Sequence, residues 1–432
     1  MHEVLITTMA VAPLTILYIS RRFFPEITGG GQISGFEIAK AQAKLGNKVH
    51  VLTWTEKSAC EEVVQGIHIM RKTMPKLRWF PRFSNMDYMY WNMSREASKM
   101  CEILCPDVVH LLNFESIPFT AMRLKKMFGV PLVATVNGPI FGCFTQAGID
   151  YLGQTCIHCK TPKRFLDSIA KWGVVKGPLY WLYSLWYMPL LKRSYKCINT
   201  FFAVSRAMIP LLQNMGVSEK SVVVVPNPIA PQQKKPVVDL KKKYHLTSQK
   251  VVLYAGRLEE DKGVHLTIKA LPHLENVVLL IIGKGSYESS LRQLVTNLKL
   301  ENKVKFLGFM HNAEVLRHYS LADLVVFPNT VYESLSRMLL EACAHGIPII
   351  ASNMGGNADI VEHEVTGLLL EKPSPENIAK AMKTILTNDL LYKKMSLHAK
   401  RKAKEFSPES TGRKISAEYQ KLCVVHETER NF

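Results

Sequence analysis

Short unbroken runs of apolar residues recur along the chain, each ending in a glycine or polar turn and leading into a segment with apolar residues three and four apart. A strand buried on both faces needs no polar side, so such runs mark strands of a parallel sheet and the segments between them mark the covering helices. Thr15–Ser20 is the first run; it enters the turn Gly29-Gly30-Gly31, and a helical pattern follows through Phe36, Ile38, Ala39 and Ala43. Further strands are expected at Lys48–Thr53, Asp107–Leu112, Pro131–Val136, Thr200–Val204 and Val222–Val225.

After Pro226-Asn227-Pro228 the composition changes. Ala230–Lys250 carries prolines, paired glutamines and many lysines, and reads as a linker. The rhythm resumes with five runs, Val251–Ala255, Val277–Ile282, Val304–Leu307, Leu324–Phe327 and Pro348–Ala351. The expected fold class is therefore α/β, with two Rossmann-like doubly wound domains. The first spans 1–230 with an insertion at about 138–199, and the second spans 231–410; a tail, 411–432, is expected to cross back to the first domain. At about 100–200 residues per domain, a chain of 432 residues agrees with two.

Composition adds limits. The net charge of +19 admits nucleic acid, an anionic membrane or a phosphate-bearing substrate as partner, and charge alone does not choose. The lysines are scattered and no nucleic-acid-binding motif occurs, so no nucleic-acid partner is expected. Nine cysteines lack the density and the pattern of paired spacings of a secreted disulfide scaffold, which suits a reducing compartment, the cytoplasmic side. Leu5–Ser20 follows Glu3 rather than a basic stretch, and the apolar run Pro178–Leu191 is shorter than the roughly 20 residues that span a bilayer.

Ligands of open α/β sheets bind beyond the carboxyl ends of the strands, so the turns there are where chemistry is sought. Gly256-Arg257-Leu-Glu-Glu-Asp-Lys262-Gly263 puts two cations around a strand-to-helix turn, suited either to gripping a diphosphate or to two solvated charges beside an acidic run. Gly283-Lys284-Gly285 lets backbone approach a ligand and adds a charge. In Pro328–Pro348, Ser334 or Ser336 caps a helix running to about His345, with Gly346 as its stop. Glu333 then precedes the helix and Glu341 lies within an apolar stretch of it, where a carboxylate needs a partner: a ribose diol or a nearby arginine.

The spacing of Glu333 and Glu341, with Gly256-Arg257, Lys262-Gly263 upstream and Gly355-Gly356 downstream, resembles the retaining GT-B glycosyltransferases of family 4 over nearly the whole chain. That resemblance implies two domains facing a cleft, and a nucleotide diphosphate-sugar donor. It implies that Arg257 and Lys262 hold the diphosphate, Glu341 the ribose and Glu333 the donor sugar, with Gly29, Gly30 and Gly31 approaching the donor phosphates or acceptor. Gly256, Gly283, Lys284 and Ser334-Leu335-Ser336, the last in place of the more usual Gly-Phe-Gly, complete the donor contacts. Where many members have Thr-Val-His this chain has Thr135-Val136-Asn137, making Asn137 the expected contact to a sugar or acceptor hydroxyl. No Asp-x-Asp pair occurs, so no catalytic metal and no cofactor are expected; the cations and the helix end would carry the leaving charge. An epimerase or phosphorylase of the same fold, or a nucleotide-sugar-binding protein without turnover, are the competing readings.

Two features set the chain apart. The insertion holds Cys143, Cys156, His158 and Cys159, which read as a structural zinc site or as plain loop thiols. Pro178–Leu191 is rich in aromatics and flanked by Lys171, Lys176, Lys192, Arg193 and Lys196. It suits either a membrane interface or a helix packed on the first sheet. With the first reading, a glycan or lipid-linked saccharide acceptor at the inner face of an anionic membrane is expected.

Overall fold

The apolar runs become strands of two sheets in the computed structural model of the chain, which describes residues 12–26, 30–74, 82–113, 116–138, 161–229 and 238–430. Among them the first sheet has eight strands: β1 (Thr15–Ile19), β2 (Lys48–Thr55), β3 (Cys60–Val64), β4 (Ile67–Thr73), β5 (Val108–Leu111), β6 (Leu132–Val136), β7 (Thr200–Ala203) and β8 (Val222–Val224). Their order is β3-β4-β2-β1-β5-β6-β7-β8. The second sheet has six: β9 (Lys250–Ala255), β10 (Val277–Ile282), β11 (Val304–Gly308), β12 (Leu324–Phe327), β13 (Ile349–Ser352) and β14 (Gly367–Leu370), in the order β11-β10-β9-β12-β13-β14. Strands β4, β2, β1, β5 and β6 run parallel in succession, as do all six of the second sheet. Each sheet reverses direction of growth at its first strand: β1 lies between β2 and β5, and β9 between β10 and β12. The doubly wound α/β class read from the sequence is the one observed.

The second sheet has six strands, not five. Strand β14 begins at Gly367, where a Cβ would come within 2.0 Å of the Ile349 carbonyl oxygen, so only glycine lets this edge strand approach β13. The hairpin of β3 and β4 was also absent from the sequence reading; its β3 is antiparallel, carries Glu61 and Glu62, and closes the edge of the sheet with charge.

By packing, the chain divides into two compact units. One contains Met1–Thr135, Pro189–Phe202 and Gly412–Phe432, and the other Val136–Met188 and Ala203–Thr411. In the first unit the helix Gly30–Lys44 follows β1, burying Phe36, Ile38 and Ala39. The last helix, Pro408–Arg430, inserts Tyr419 with no exposed surface. The Tyr419 hydroxyl lies 2.5 Å from His110 Nδ1 and 3.1 Å from the Tyr18 hydroxyl, and His110 Nε2 lies 2.6 Å from Thr135 Oγ1. Because this chain of polar groups is wholly buried, its members satisfy one another rather than water, and burial pushes His110 down to about 3.

Candidate functional site

The second sheet's switch point brings the turns after β10, β9, β12 and β13 side by side at the carboxyl ends of neighbouring strands. Glycines allow those turns to touch backbone to backbone. A Cβ on Gly283, which has φ 138°, would lie 1.8 Å from the Gly256 carbonyl oxygen, and one on Gly285 would lie 2.2 Å from that of Leu258. Leu258 in turn donates its N–H to the Lys284 carbonyl at 3.0 Å. Gly263 (φ 71°) faces the Pro328 carbonyl so closely that a Cβ would sit 1.9 Å away, and Gly355 stands in the same relation to the Glu333 carbonyl at 2.1 Å. Four turns are thus locked together by four positions that admit no side chain.

Within this cluster Lys262 ends a short 3₁₀ turn, Glu260–Lys262, and reaches Glu333 with Nζ 2.8 Å from Oε2. Both side chains are largely buried, at 13% and 19% exposed, so the pair is screened little by water. Asp261 is a second carboxylate at 3.7 Å from the same ammonium. Arg257 and Lys284 stand exposed on the neighbouring turns, Arg257 with its carbonyl accepting a hydrogen bond from the buried Tyr254 hydroxyl at 2.7 Å. Ser286 donates to Glu259, joining the turns after β9 and β10, and this bond holds Glu259 below the usual carboxylate range.

The helix beyond the loop spans Arg337–Ala344, with Ser336 at its N-cap position and Gly346 (φ 65°) just past its end. The expectation of a serine cap needs correction: Ser336 makes no side-chain cap bond, and Ser334 instead donates its hydroxyl to the Asn137 carbonyl at 2.8 Å. Leu335 is buried beneath the turn. Glu341 is 5% exposed and pairs with Arg337 one turn earlier, Nε to Oε1 at 3.0 Å. Burial raises the Glu341 carboxyl above its ordinary range, opposed by Arg337 and by Tyr319 beside it. The arginine partner anticipated as one of two possibilities is therefore present.

The sequence reading did not find the buried amides that fix the loop after β12. Asn357 Nδ2 donates to Asn329 Oδ1 at 2.8 Å, Asn329 Nδ2 to the Val331 carbonyl at 2.8 Å, and Ser352 Oγ to the Asn329 carbonyl at 2.7 Å. Asn329 lies two residues beyond β12, Ser352 closes β13 and Asn357 opens the short helix Asn357–Ile360, so no run or spacing in the sequence links them. Asp359, after the double glycine, accepts the Arg206 N–H at 3.1 Å, and its carboxyl is raised chiefly by burial.

Gly256, Arg257, Lys262, Gly283, Lys284, Glu333, Ser334, Leu335, Ser336 and Glu341 thus belong to one group of turns and the helix they lead into. Gly30 and Gly31 open the helix after β1 in the first unit, while Gly29 lies outside the described residues, as do Cys143, Cys156, His158 and Cys159. A site with three cations, glycine-lined backbone and a carboxylate already bound to one of the cations can hold an anionic group and exchange its internal ion pair for it.

Two family patterns match the chain: Glycosyltransferase Family 4 over residues 28–233 and Glycosyl transferases group 1 over residues 238–404. An uncharacterised glycosyltransferase of Methanocaldococcus jannaschii is 36% identical over 385 residues, covering 87% of this chain and 90% of its own. Among solved structures, Anabaena HepE in complex with UDP is similar with a TM-score of 0.70 at 19% identity, over 94% of this chain and 100% of that one. Sucrose-phosphate synthase from Thermosynechococcus elongatus reaches 0.74 at 19% identity, over 95% and 100%. These two share the fold, the GT-B arrangement of two parallel α/β sheets.

Proposed function

Because the chain belongs to glycosyltransferase family 4, the group 1 glycosyl transferases, we propose that it moves a hexosyl group, with retention, from a nucleotide diphosphate-sugar to a glycan or lipid-linked saccharide at the inner face of an anionic membrane. The observation that carries this reading is the Lys262–Glu333 pair at 2.8 Å, set where the turns after β9, β10, β12 and β13 meet. A donor diphosphate takes the Lys262 ammonium, together with Arg257 and Lys284 from the adjacent turns, and Glu333 is released toward the donor sugar. Glu341, buried one helix turn beyond Arg337, is assigned to the ribose. Asn137, whose carbonyl already accepts Ser334, is assigned to a sugar or acceptor hydroxyl.

In the transfer, the bond from the anomeric carbon to the phosphate oxygen breaks and its electron pair leaves on the phosphate. The acceptor hydroxyl oxygen bonds the anomeric carbon on the same face, and its proton passes to the departing phosphate oxygen. Fixed cations aimed at that oxygen stabilise the charge where it develops, the role that a metal ion plays in other transferases.

The test is a thermal-shift and calorimetric screen of UDP, GDP, ADP and their sugar conjugates. One nucleotide should stabilise the wild type, and Lys262→Ala should weaken it about 10–100-fold, the effect of losing one hydrogen bond to a charged group. Glu333→Gln should retain the nucleotide and lose transfer. Absence of any nucleotide response in the wild type sinks the proposal.

A further inference from the structure

The helical segment Thr161–Tyr195 is not one rod. Gly173 has φ 79° and ψ 169°, and the chain folds back there. Trp172 stacks on Tyr180 with ring centroids 4.2 Å apart, Phe165 meets Trp181 edge-on at 5.3 Å, and a Cβ on Gly177 would lie 2.6 Å from the Ile169 Cα. Residues eight apart on a straight helix are separated by about 12 Å, so these contacts define two arms packed on each other with Val174 and Val175 at the bend.

One side of the second arm is buried through Ser184, Tyr187, Met188 and Leu191. The other side carries an apolar stripe in open solvent: Val175 is 78% exposed, Leu179 62%, Leu182 58% and Trp186 52%. Their spacing of four, three and four places them in line on one helix face, roughly 16 Å long at 1.5 Å per residue. Val174, 76% exposed, extends it over the bend. Exposed cations border the stripe at both ends, Lys171 and Lys176 near the bend and Lys192, Arg193 and Lys196 at the far end. Between Phe165 and Tyr195 the only acid is Asp167, which is buried.

We infer that this stripe is the surface by which the protein lies on an anionic lipid bilayer, its apolar residues in the acyl boundary and its lysines among the headgroups. Monomers rarely leave a contiguous apolar row in water, and aromatic residues rimmed by cations match the chemistry of the interface. A second copy fits poorly: with cations at both ends of the stripe, a two-fold contact sets like charges together whichever way the two stripes run, in a chain of net charge +19. Among the described residues no helix is long and apolar enough to cross a membrane, so the contact is peripheral. The inference rests on the proposed membrane-side acceptor only for its purpose; lipid binding itself is read without sugar or nucleotide.

The experiment is flotation of the full chain with phosphatidylcholine vesicles, with and without phosphatidylglycerol, at ~0.1 M salt. The wild type should float with the anionic vesicles. Leu179→Glu/Leu182→Glu, and separately Val175→Glu, should lower the partition about tenfold or more, while Val63→Glu, on a strand of the other unit, should not. The nucleotide-induced thermal shift, measured on the same samples, should be unchanged, which separates loss of docking from misfolding and from failure of the donor site. Three results overturn the inference: no flotation of the wild type, stripe variants that float like the wild type through charge alone, or light scattering that finds a dimer split by the stripe substitutions.

Discussion

Lowering the pH should destabilise the first unit through His110. In the folded chain this imidazole is pushed down to about 3 by burial, against an ordinary value of 6.5. Between those values the unfolded chain binds a proton that the folded one refuses, so stability is fully present above pH 6.5 and is lost as pH falls toward 3. The slope is about 1.4 kcal/mol per pH unit, which amounts to about 2 kcal/mol between pH 6.5 and pH 5. Carboxylates and other histidines titrate over the same range, so the quantity to measure is a difference between wild type and His110→Gln. At pH 7.5 the variant should be the weaker by about 1–3 kcal/mol, since Tyr419 and Thr135 lose buried partners. At pH 5 that gap should have closed by about 2 kcal/mol. Urea titration with pulsed hydrogen exchange, read on peptides covering Val108–Leu111, follows this unit by itself. A gap that stays constant from pH 7.5 to 5 refutes the reasoning, because it means that His110 titrates alike in both states.

Other outcomes follow from particular contacts. Tyr419→Phe should cost about 1–3 kcal/mol by stranding His110 Nδ1, measured by the same titration at pH 7.5. Gly283→Ala should disrupt the joined turns, because its Cβ would meet the Gly256 carbonyl at 1.8 Å; calorimetry should show weakened nucleotide binding, and unaltered binding contradicts the assigned site. Site-resolved alkylation at pH 8 should label exposed Cys60 and Cys105 rapidly and leave Cys343, buried and pushed up to about 12, unreacted until the chain unfolds. Leu339→Ala, with the side chain fully buried in the helix Arg337–Ala344, should cost about 2–5 kcal/mol, seen as a lower thermal midpoint of the second unit.

The strands legible in the sequence were those buried on both faces, such as Val277–Ile282, where every residue is inside and the run is unbroken. Strand Cys60–Val64 escaped because an exposed edge strand with two glutamates has no such run, and Gly367–Leu370 because its first residue reads as a turn. In the site, Lys262 and Glu333 stood out as charges at turns, but their pairing across 71 residues did not, since it depends on which strands are neighbours. Asn329 and Asn357 were illegible for a different reason: a side chain serving backbone groups has no periodicity, and asparagine in a loop reads as an ordinary turn former. Serine at a helix start suggested a cap, yet Ser336 makes none and Ser334 turns to Asn137 instead.

The burial of Tyr419 in the first unit sets an order of events during synthesis. His110 and its partner are separated by 309 positions in the chain. At roughly 5–20 residues per second, His110 waits about 15–60 s before the hydroxyl that completes the interior of the first unit is made. Through that interval His110 and Tyr18 lack the partner they have in the folded protein, and the nascent first unit is open to chaperones and proteases with its interior incomplete.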